Sequence, residues 1–412
     1  MAEQPPSVVY YLSLDNRINR KNEKTGNTLT FILIAQLSFS QNSSFRKGMV
    51  SGKSYCEQLD FELVNNKISV PVKINGKTYR FLFDTGAPTL ISQELAAELN
   101  GPTIGEKTVA DANNLEDTLA TTTIKNLKIG AVVFENCQAL VFGINQHPFL
   151  QCLKIDGFIG SNLFKKSIVK IDLNGRKITL TNRTTRLRPA SKPTKMQLVG
   201  SQRMPFITLK LEGRSGEMGK EQVLIDTGMD NLYDISQRAY RTFSPINIAD
   251  SISTSYGSGE IGAFGNAPSQ AQTQVKITKL TINHAVFGNV NSITITDDNS
   301  RIGLAFFKYG DVILDFKNSR FYFESTEKVL LTERMEKYSP TVLNGKHAVG
   351  FVWDEALKNE LQFGNEITRI DGKIVEEMGA YELLNLQTTR ERKSHEIEII
   401  TKEGIWKQIK IE

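Results

Sequence analysis

Arg80-Phe81-Leu82-Phe83-Asp84-Thr85-Gly86-Ala87 is matched 142 residues later by Gln222-Val223-Leu224-Ile225-Asp226-Thr227-Gly228-Met229. Each copy is an apolar run ending on Asp-Thr-Gly. The match continues downstream. Gly157-Phe158-Ile159-Gly160 finds its partner in Arg301-Ile302-Gly303 at an offset of 143. Phe164-Lys165 through Ile171-Asp172-Leu173 matches Phe307-Lys308 through Leu314-Asp315-Phe316 at the same offset. Between these blocks, Leu127 to Asn136 pairs with Leu280 to Asn289 at an offset of 153. The second copy is therefore longer before this block and shorter after it. Insertions confined to connections mark a duplicated unit. One Asp-Thr-Gly in a chain this long arises by chance roughly one time in ten. Two copies with matched flanks call for a cause, either paired half-sites or a pair of strand-to-turn junctions without chemistry.

The 412 residues leave room for two or three domains with full cores. Apolar residues make up 40% and charged residues 23%, as in globular chains. The net charge of +5 is spread along the chain. There is no dense Lys/Arg stripe with interleaved aromatics, so nucleic acid is not an expected partner. Cys56, Cys137 and Cys152 do not form a metal-ligand spacing, and neither do His147, His284, His347 and His395. Cys137 and Cys152 could pair in an exported protein, but buried free thiols are the preferred reading.

Residues 1–55 read as an N-terminal extension. Within it, Leu29 to Phe39 (LTFILIAQLSF) is apolar but short for a bilayer span. Arg20, Lys21 and Lys24 precede it, and Ser38-Phe39-Ser40 follows. This is the pattern of a secretory signal with an overlong charged region; a buried strand or an uncleaved membrane anchor are the alternatives. The expectation is export.

Residues 57–326 alternate in short β-type runs, such as Lys67 to Ile74, Arg80 to Phe83, Ile168 to Leu173, Lys177 to Leu180, Phe206 to Leu211 and Val312 to Phe316. Asn75-Gly76 and Asn174-Gly175 are hairpin signals. One helical patch follows each Asp-Thr-Gly, at Ser92 to Leu99 and Ser236 to Phe243. The basic, proline-containing segment 181–203 reads as the connection between two halves, 56–190 and 191–326. A small separate domain is expected over 333–412, with a helix-like run at Tyr381 to Leu386 and strand-like runs at Glu396 to Thr401 and Trp406 to Ile411.

Apolar-apolar-Asp-Thr-Gly, followed by an apolar-apolar-Gly, resembles the aspartic peptidases of the pepsin and retropepsin type. Leu82-Phe83-Asp84-Thr85-Gly86-Ala87 with Phe158-Ile159-Gly160 carries the resemblance in the first half. Leu224-Ile225-Asp226-Thr227-Gly228 with Arg301-Ile302-Gly303 carries it in the second, departing at Met229. Gly364-Asn365-Glu366-Ile367 and Ile370-Asp371-Gly372 make the tail similar to a PDZ domain, with Asn365 where an Asp is usual. The combination looks like bacterial aspartyl proteases with a C-terminal PDZ domain. The resemblance implies a mainly β, two-lobed acid protease fold plus a small PDZ-like domain. It implies Asp84 and Asp226 as catalytic residues, supported by Thr85, Gly86, Thr227 and Gly228. The substrate would be a protein or peptide and the enzyme a monomer, periplasmic or extracellular, touching a membrane only through an uncleaved N-terminal segment.

The chemistry follows from two facing carboxyls. Two such groups in a low-dielectric cleft cannot both stay charged, so the pair holds one proton over a range of pH. The ionised member takes a proton from a bound water, and the neutral member donates to the scissile carbonyl. This route calls for no metal and no cofactor. Gly86 and Gly228 let backbone N–H groups approach the carboxylates. By the resemblance, Thr85 and Thr227 cross-bond the two loops, the alternative being ordinary turn capping. Ala87 and Met229 bring no hydroxyl to the outer carboxylate oxygens, so a mildly acidic optimum is expected rather than a strongly acidic one.

A flap is expected over the cleft. Candidates are Val109 to Asp117, centred on Asn114, and Ser255-Tyr256-Gly257-Ser258-Gly259, centred on Tyr256 and Gly257. Tyr256 could equally pack on its own sheet. In the tail, Val349-Gly350-Phe351 is the expected loop for a peptide carboxylate, the alternative being a packing appendage on the second half. Two rival functions stay open: a catalytically silent peptide-gripping body, and an interaction protein whose PDZ-like tail is the active part.

Overall fold

A computed structural model describes residues 9–13, 31–32, 49–147, 149–325, 328–332, 334–378 and 394–412. The chain is mainly β. Strand Lys67–Ile74 alternates buried Val70, Val72 and Ile74 with exposed Pro71 and Lys73. Asn75 and Gly76 then take φ of 51° and 85°, the left-handed pair that a tight hairpin requires. The chain returns as Lys77–Asp84, with Val70 opposite Phe81. Phe81, Leu82 and Phe83 are all buried, because this strand is covered on both faces.

The strand ending on Asp84 runs parallel to Gly157–Gly160, which puts Gly160 beside Asp84. The strand Met218–Ile225, which leads into Asp226, runs parallel to Arg301–Ile302, with Ile225 beside Ile302. Leu90–Ser92 lies antiparallel to the first of these partners and Tyr233–Ser236 to the second. A short helix follows each, Gln93–Leu99 and Gln237–Phe243. Both are capped alike: Ser92 Oγ accepts from Leu95 N–H and Ser236 Oγ from Ala239 N–H.

Below these elements, six strands follow one another in the order Cys56–Asp60, Lys177–Thr181, Ile168–Asp172, Gly310–Asp315, Arg320–Ser325 and Thr194–Val199. The central pair is self-complementary. Val169 pairs with Leu314 and Ile171 with Val312, while Lys170 meets Ile313 between them. A single hydrophobic core runs through both halves, with Phe83 against Phe164 and Phe306 stacked on Phe323 at a centroid distance of 4.1 Å. Cys137 is buried as a free thiol, so the alternative disulfide to Cys152 is not formed; burial pushes its pKa up to about 12.

Three details differ from the sequence expectation. The connecting segment 181–203 contains the strand Thr194–Val199, which extends the central sheet. Strand Lys328–Leu330, beyond residue 326, pairs with Val286 to Gly288 of the second half. Strand Val9–Ser13 from the N-terminal extension pairs with Met218 to Lys220, and Phe31–Ile32 pairs with it in turn. The rest of the signal-like segment lies outside the described residues, as does Tyr381 to Leu386. No helix among the described residues is long and apolar enough to cross a membrane.

The tail carries its own core of Val349, Val352, Leu361, Ile367, Ile370, Ile397, Ile399, Ile409 and Ile411. Glu396 to Thr401 and Trp406 to Ile411 fall on the antiparallel strands His395–Ile400 and Trp406–Ile411.

Candidate active site

The two Asp-Thr-Gly turns face each other across the middle of the molecule. Thr85 N–H donates to Thr227 Oγ1 and Thr227 N–H donates to Thr85 Oγ1, each at 3.0 Å. Each hydroxyl in turn donates to the opposite strand, Thr85 to Ile225 C=O at 2.6 Å and Thr227 to Phe83 C=O at 2.8 Å. Both threonines are fully buried. Thr85→Val or Thr227→Val would strand a buried N–H and a buried C=O on the opposite loop. Each is expected to cost about 1–3 kcal/mol per orphaned group, read as a lowered urea midpoint at unchanged slope.

The carboxyls project from these loops toward each other. A Cβ placed on Gly86 would lie 2.7 Å from Asp226 Cγ, and one on Gly228 would lie 2.5 Å from Asp84 Oδ2. Each glycine thus makes room for the opposite carboxyl. Asp84 Oδ1 accepts from Gly86 N–H at 2.9 Å and Ala87 N–H at 3.1 Å. Asp226 Oδ1 accepts from Gly228 N–H at 2.9 Å, and its Oδ2 accepts from Arg301 Nη1 at 2.8 Å. Burial first, and the charge of Asp226 second, push Asp84 up to about 7, against the downward pull of Gly86 N–H, Lys67 and Ala87 N–H. Lys67 Nζ reaches across from the first half to Gly228 C=O at 2.6 Å and Asp230 Oδ1 at 2.7 Å.

Behind the second loop, buried Glu221 accepts from Tyr233 Oη at 2.5 Å and from Ser300 Oγ. Burial raises Glu221 to about 7. This network ties the strand bearing Asp226 to the residue preceding Arg301. Gly160 and Gly303, which close the runs Phe158-Ile159-Gly160 and Arg301-Ile302-Gly303, are needed for close approach. A Cβ on Gly160 would lie 2.4 Å from Ala87 O, and one on Gly303 would lie 2.4 Å from Asn231 O.

Both aspartates line a cleft of about 1110 Å³. Its first-half wall carries an apolar patch of Leu82, Leu119, Leu140, Phe142 and Phe158 beside polar Lys67, Asp111 and His147. Its second-half wall carries Asp230, Asp297, Asp298, Arg301 and Lys308. Two turns meet over it. Asp111 Oδ2 accepts from Phe264 N–H at 2.9 Å, and Asn113 Nδ2 donates to Gly265 C=O at 3.0 Å. His147 Nδ1 faces the Phe149 and Leu150 N–H groups, which leaves Nε2 to donate to Gly262 C=O at 3.0 Å.

Asp84, Thr85, Gly86, Asp226, Thr227 and Gly228 are therefore together, and Asn114 lines the same cleft. Tyr256 and Gly257 do not cover it. Tyr256 is 63% exposed, and Gly257 packs on Gly350 of the tail. The second-half tip over the cleft is instead formed from Gly259 to Phe264. The expected peptide-binding loop is also displaced: Val349, Gly350 and Phe351 belong to strand Lys346–Val352 and are buried. That strand is covered by hairpin residues 253–259, with Val352 N–H donating to Ser255 Oγ at 2.9 Å and Phe351 against Gly259. Sequence reasoning missed Lys67, Asp230, Asp297 and the role of Arg301 as a partner of Asp226. The one signal for Arg301 was a charged residue where the first half carries Phe158. Among the described residues, no group of three His, Cys, Asp or Glu side chains could hold a metal ion.

Residues 70–163 match the family model described as "Aspartyl protease". That span holds Asp84 and Gly157 to Gly160, but not Asp226. The match supports a protease function. Comparison with curated proteins finds no match. Among solved structures, the chain is similar to the aspartic proteinase from Irpex lacteus, with 12% identity, 66% of this chain and 98% of that one covered, and a TM-score of 0.41.

Proposed function

We propose that this chain is an aspartic endopeptidase, two-lobed through internal duplication, in which Asp84 and Asp226 act together on one water. The observation that carries this is the reciprocal bonding of the two Asp-Thr-Gly loops, which holds both carboxyls at the floor of one cleft. The self-complementary pairing of 169–171 with 312–314 supports the duplication. A water between the carboxyls gives a proton to the ionised one as its oxygen attacks the scissile carbonyl carbon. The neutral one protonates the carbonyl oxygen. The tetrahedral diol then collapses: the amide nitrogen takes a proton from the first carboxyl, the C–N bond breaks, and a diol hydroxyl returns a proton to the other. Substrates are unfolded protein segments or peptides, with a large apolar side chain to fill the Leu/Phe wall.

The tail is proposed as a docked domain that steadies the second-half hairpin, since its strand Lys346–Val352 lies against residues 253–259. Export remains part of the proposal, resting on the Leu29 to Phe39 pattern alone. Met229 does not point into the pair: its Cε lies against Gly303, 2.7 Å from where a Cβ on that glycine would be.

The test is cleavage of denatured casein across about pH 3 to 7, with and without pepstatin. The pair must keep its one shared proton, so the alkaline limb is expected near the value of about 7 to which Asp84 is pushed. Pepstatin-sensitive cleavage under mildly acidic conditions is the expected result. An optimum below about pH 3.5, or cleavage that survives Asp84→Asn, would contradict it.

A further inference from the structure

Arg301 sits where the two halves differ most in chemistry. Its counterpart at the offset of 143 is Phe158, and each is the residue two before the motif glycine. Phe158 pairs with Leu82 and Arg301 with Leu224, so the two occupy equivalent places beside the two aspartate strands. On the Asp84 side the neighbour is an apolar ring. On the Asp226 side it is a guanidinium whose side chain is 14% exposed, wedged between carboxylates that are 5% and 13% exposed.

The hydrogen bonds are correspondingly uneven. Asp84 receives two amide N–H groups on Oδ1, while Oδ2 faces Gly228 across the cleft. Asp226 receives one amide on Oδ1 and the Arg301 Nη1 on Oδ2. Arg301 Nη2 is tied down by Asp297, so the guanidinium cannot swing away without breaking a second ion pair. Its Nε is buried without a partner. Burying this cation is offset by the two carboxylates it bridges, and replacing it by an apolar residue would leave both without their counter-charge.

We propose that Arg301 is a positioning residue that breaks the symmetry of the pair, keeping the negative charge on Asp226 and the shared proton on Asp84. Asp226 is then the group that takes the proton from water, and Asp84 is the acid that serves the carbonyl oxygen. The guanidinium also supplies Asp226 Oδ2 with the donor that Met229 cannot. This rests on the peptidase reading above. The other charged groups around the pair are Lys67 and Asp230 at the Gly228 loop, Asp297 and Asp298 on the cleft wall, and Asp234 and buried Glu260 near Arg301. Glu260 is raised to about 7, mainly by burial, with Asp234 and Arg301 among its neighbours.

The test compares pH–rate profiles of the full chain and of Arg301→Met and Arg301→Lys on denatured casein. A guanidinium beside the pair opposes its second protonation, so Arg301→Met is expected to lose acid tolerance. Its ratio of kcat/KM at about pH 4 to that at about pH 6 should fall at least about tenfold relative to wild type. Arg301→Lys, which keeps the charge, should recover most of that ratio. A purely structural role would lower activity by the same factor at every pH, and that result overturns the proposal. Should Arg301→Met fail to fold, ¹³C-carboxyl titration of the wild-type protein decides. The carboxyl that takes up a proton near neutrality should be that of Asp84, identified by its loss in Asp84→Asn; uptake by Asp226 in that step overturns the assignment. A wild type that cleaves nothing refutes the peptidase reading itself, whereas cleavage with an unshifted Arg301→Met profile refutes only the role of Arg301.

Discussion

Asp84→Asn and Asp226→Asn are each expected to reduce kcat by about 10²–10⁴-fold, the range for losing a positioned acid or base. The two substitutions remove different things. Asn at 84 keeps a neutral, hydrogen-bonding side chain but can no longer pass a proton to the carbonyl oxygen. Asn at 226 removes the group that would take the proton from water, and leaves Arg301 buried with Asp297 alone. If the two carboxyls act as a unit, as proposed, the double variant should be little worse than either single one. Steady-state cleavage of casein by the three variants, with folding checked by thermal melting, measures this. Additive losses would separate the residues into independent roles and break the account.

Gly86→Ala and Gly228→Ala should be nearly as damaging, although neither glycine carries chemistry. A methyl on Gly86 would meet the Asp226 carboxyl at 2.7 Å, and one on Gly228 would meet Asp84 Oδ2 at 2.5 Å. These contacts lie well inside van der Waals distance, so the carboxyl must turn out of its place. Displacement of a reacting group by about 1 Å costs on the order of 10²-fold. The expected signature is a drop in kcat with a small change in melting temperature, since the colliding atoms are at the cleft surface. A variant with full activity would mean that the carboxyls need not face each other across these loops.

Much of this site was legible because it is written twice. The apolar runs before Asp84 and Asp226 each end on Asp-Thr-Gly, and a matched Gly follows each at nearly constant distance. Asn75-Gly76 could be placed for the same local reason: a positive φ at both positions is a property of the residues themselves. The second-half tip was misplaced because it was read from a local aromatic-Gly pair, Tyr256-Gly257, rather than from the repeat. The offset has already grown to 153 by Leu280, and carried back it maps Asp111 onto Phe264, the two residues that bond over the cleft. Arg301, Lys67 and the seating of the tail strand on residues 253–259 were not legible. Each depends on a contact between segments far apart in sequence, and no local periodicity encodes such a pairing. The strand Thr194–Val199 was hidden by its basic, proline-bearing surroundings; it is held by the strands beside it, Met204–Glu212 and Arg320–Ser325.

The most direct measurement is a crystal structure of the protein with a peptide whose scissile carbonyl is replaced by a tetrahedral hydroxyl-bearing carbon. That hydroxyl should sit between the two acids, within hydrogen-bond distance of both Asp84 and Asp226, with the peptide extended along the cleft beneath the turns at 111–115 and 259–264. A hydroxyl held by one aspartate alone, or a peptide bound away from them, would contradict the account.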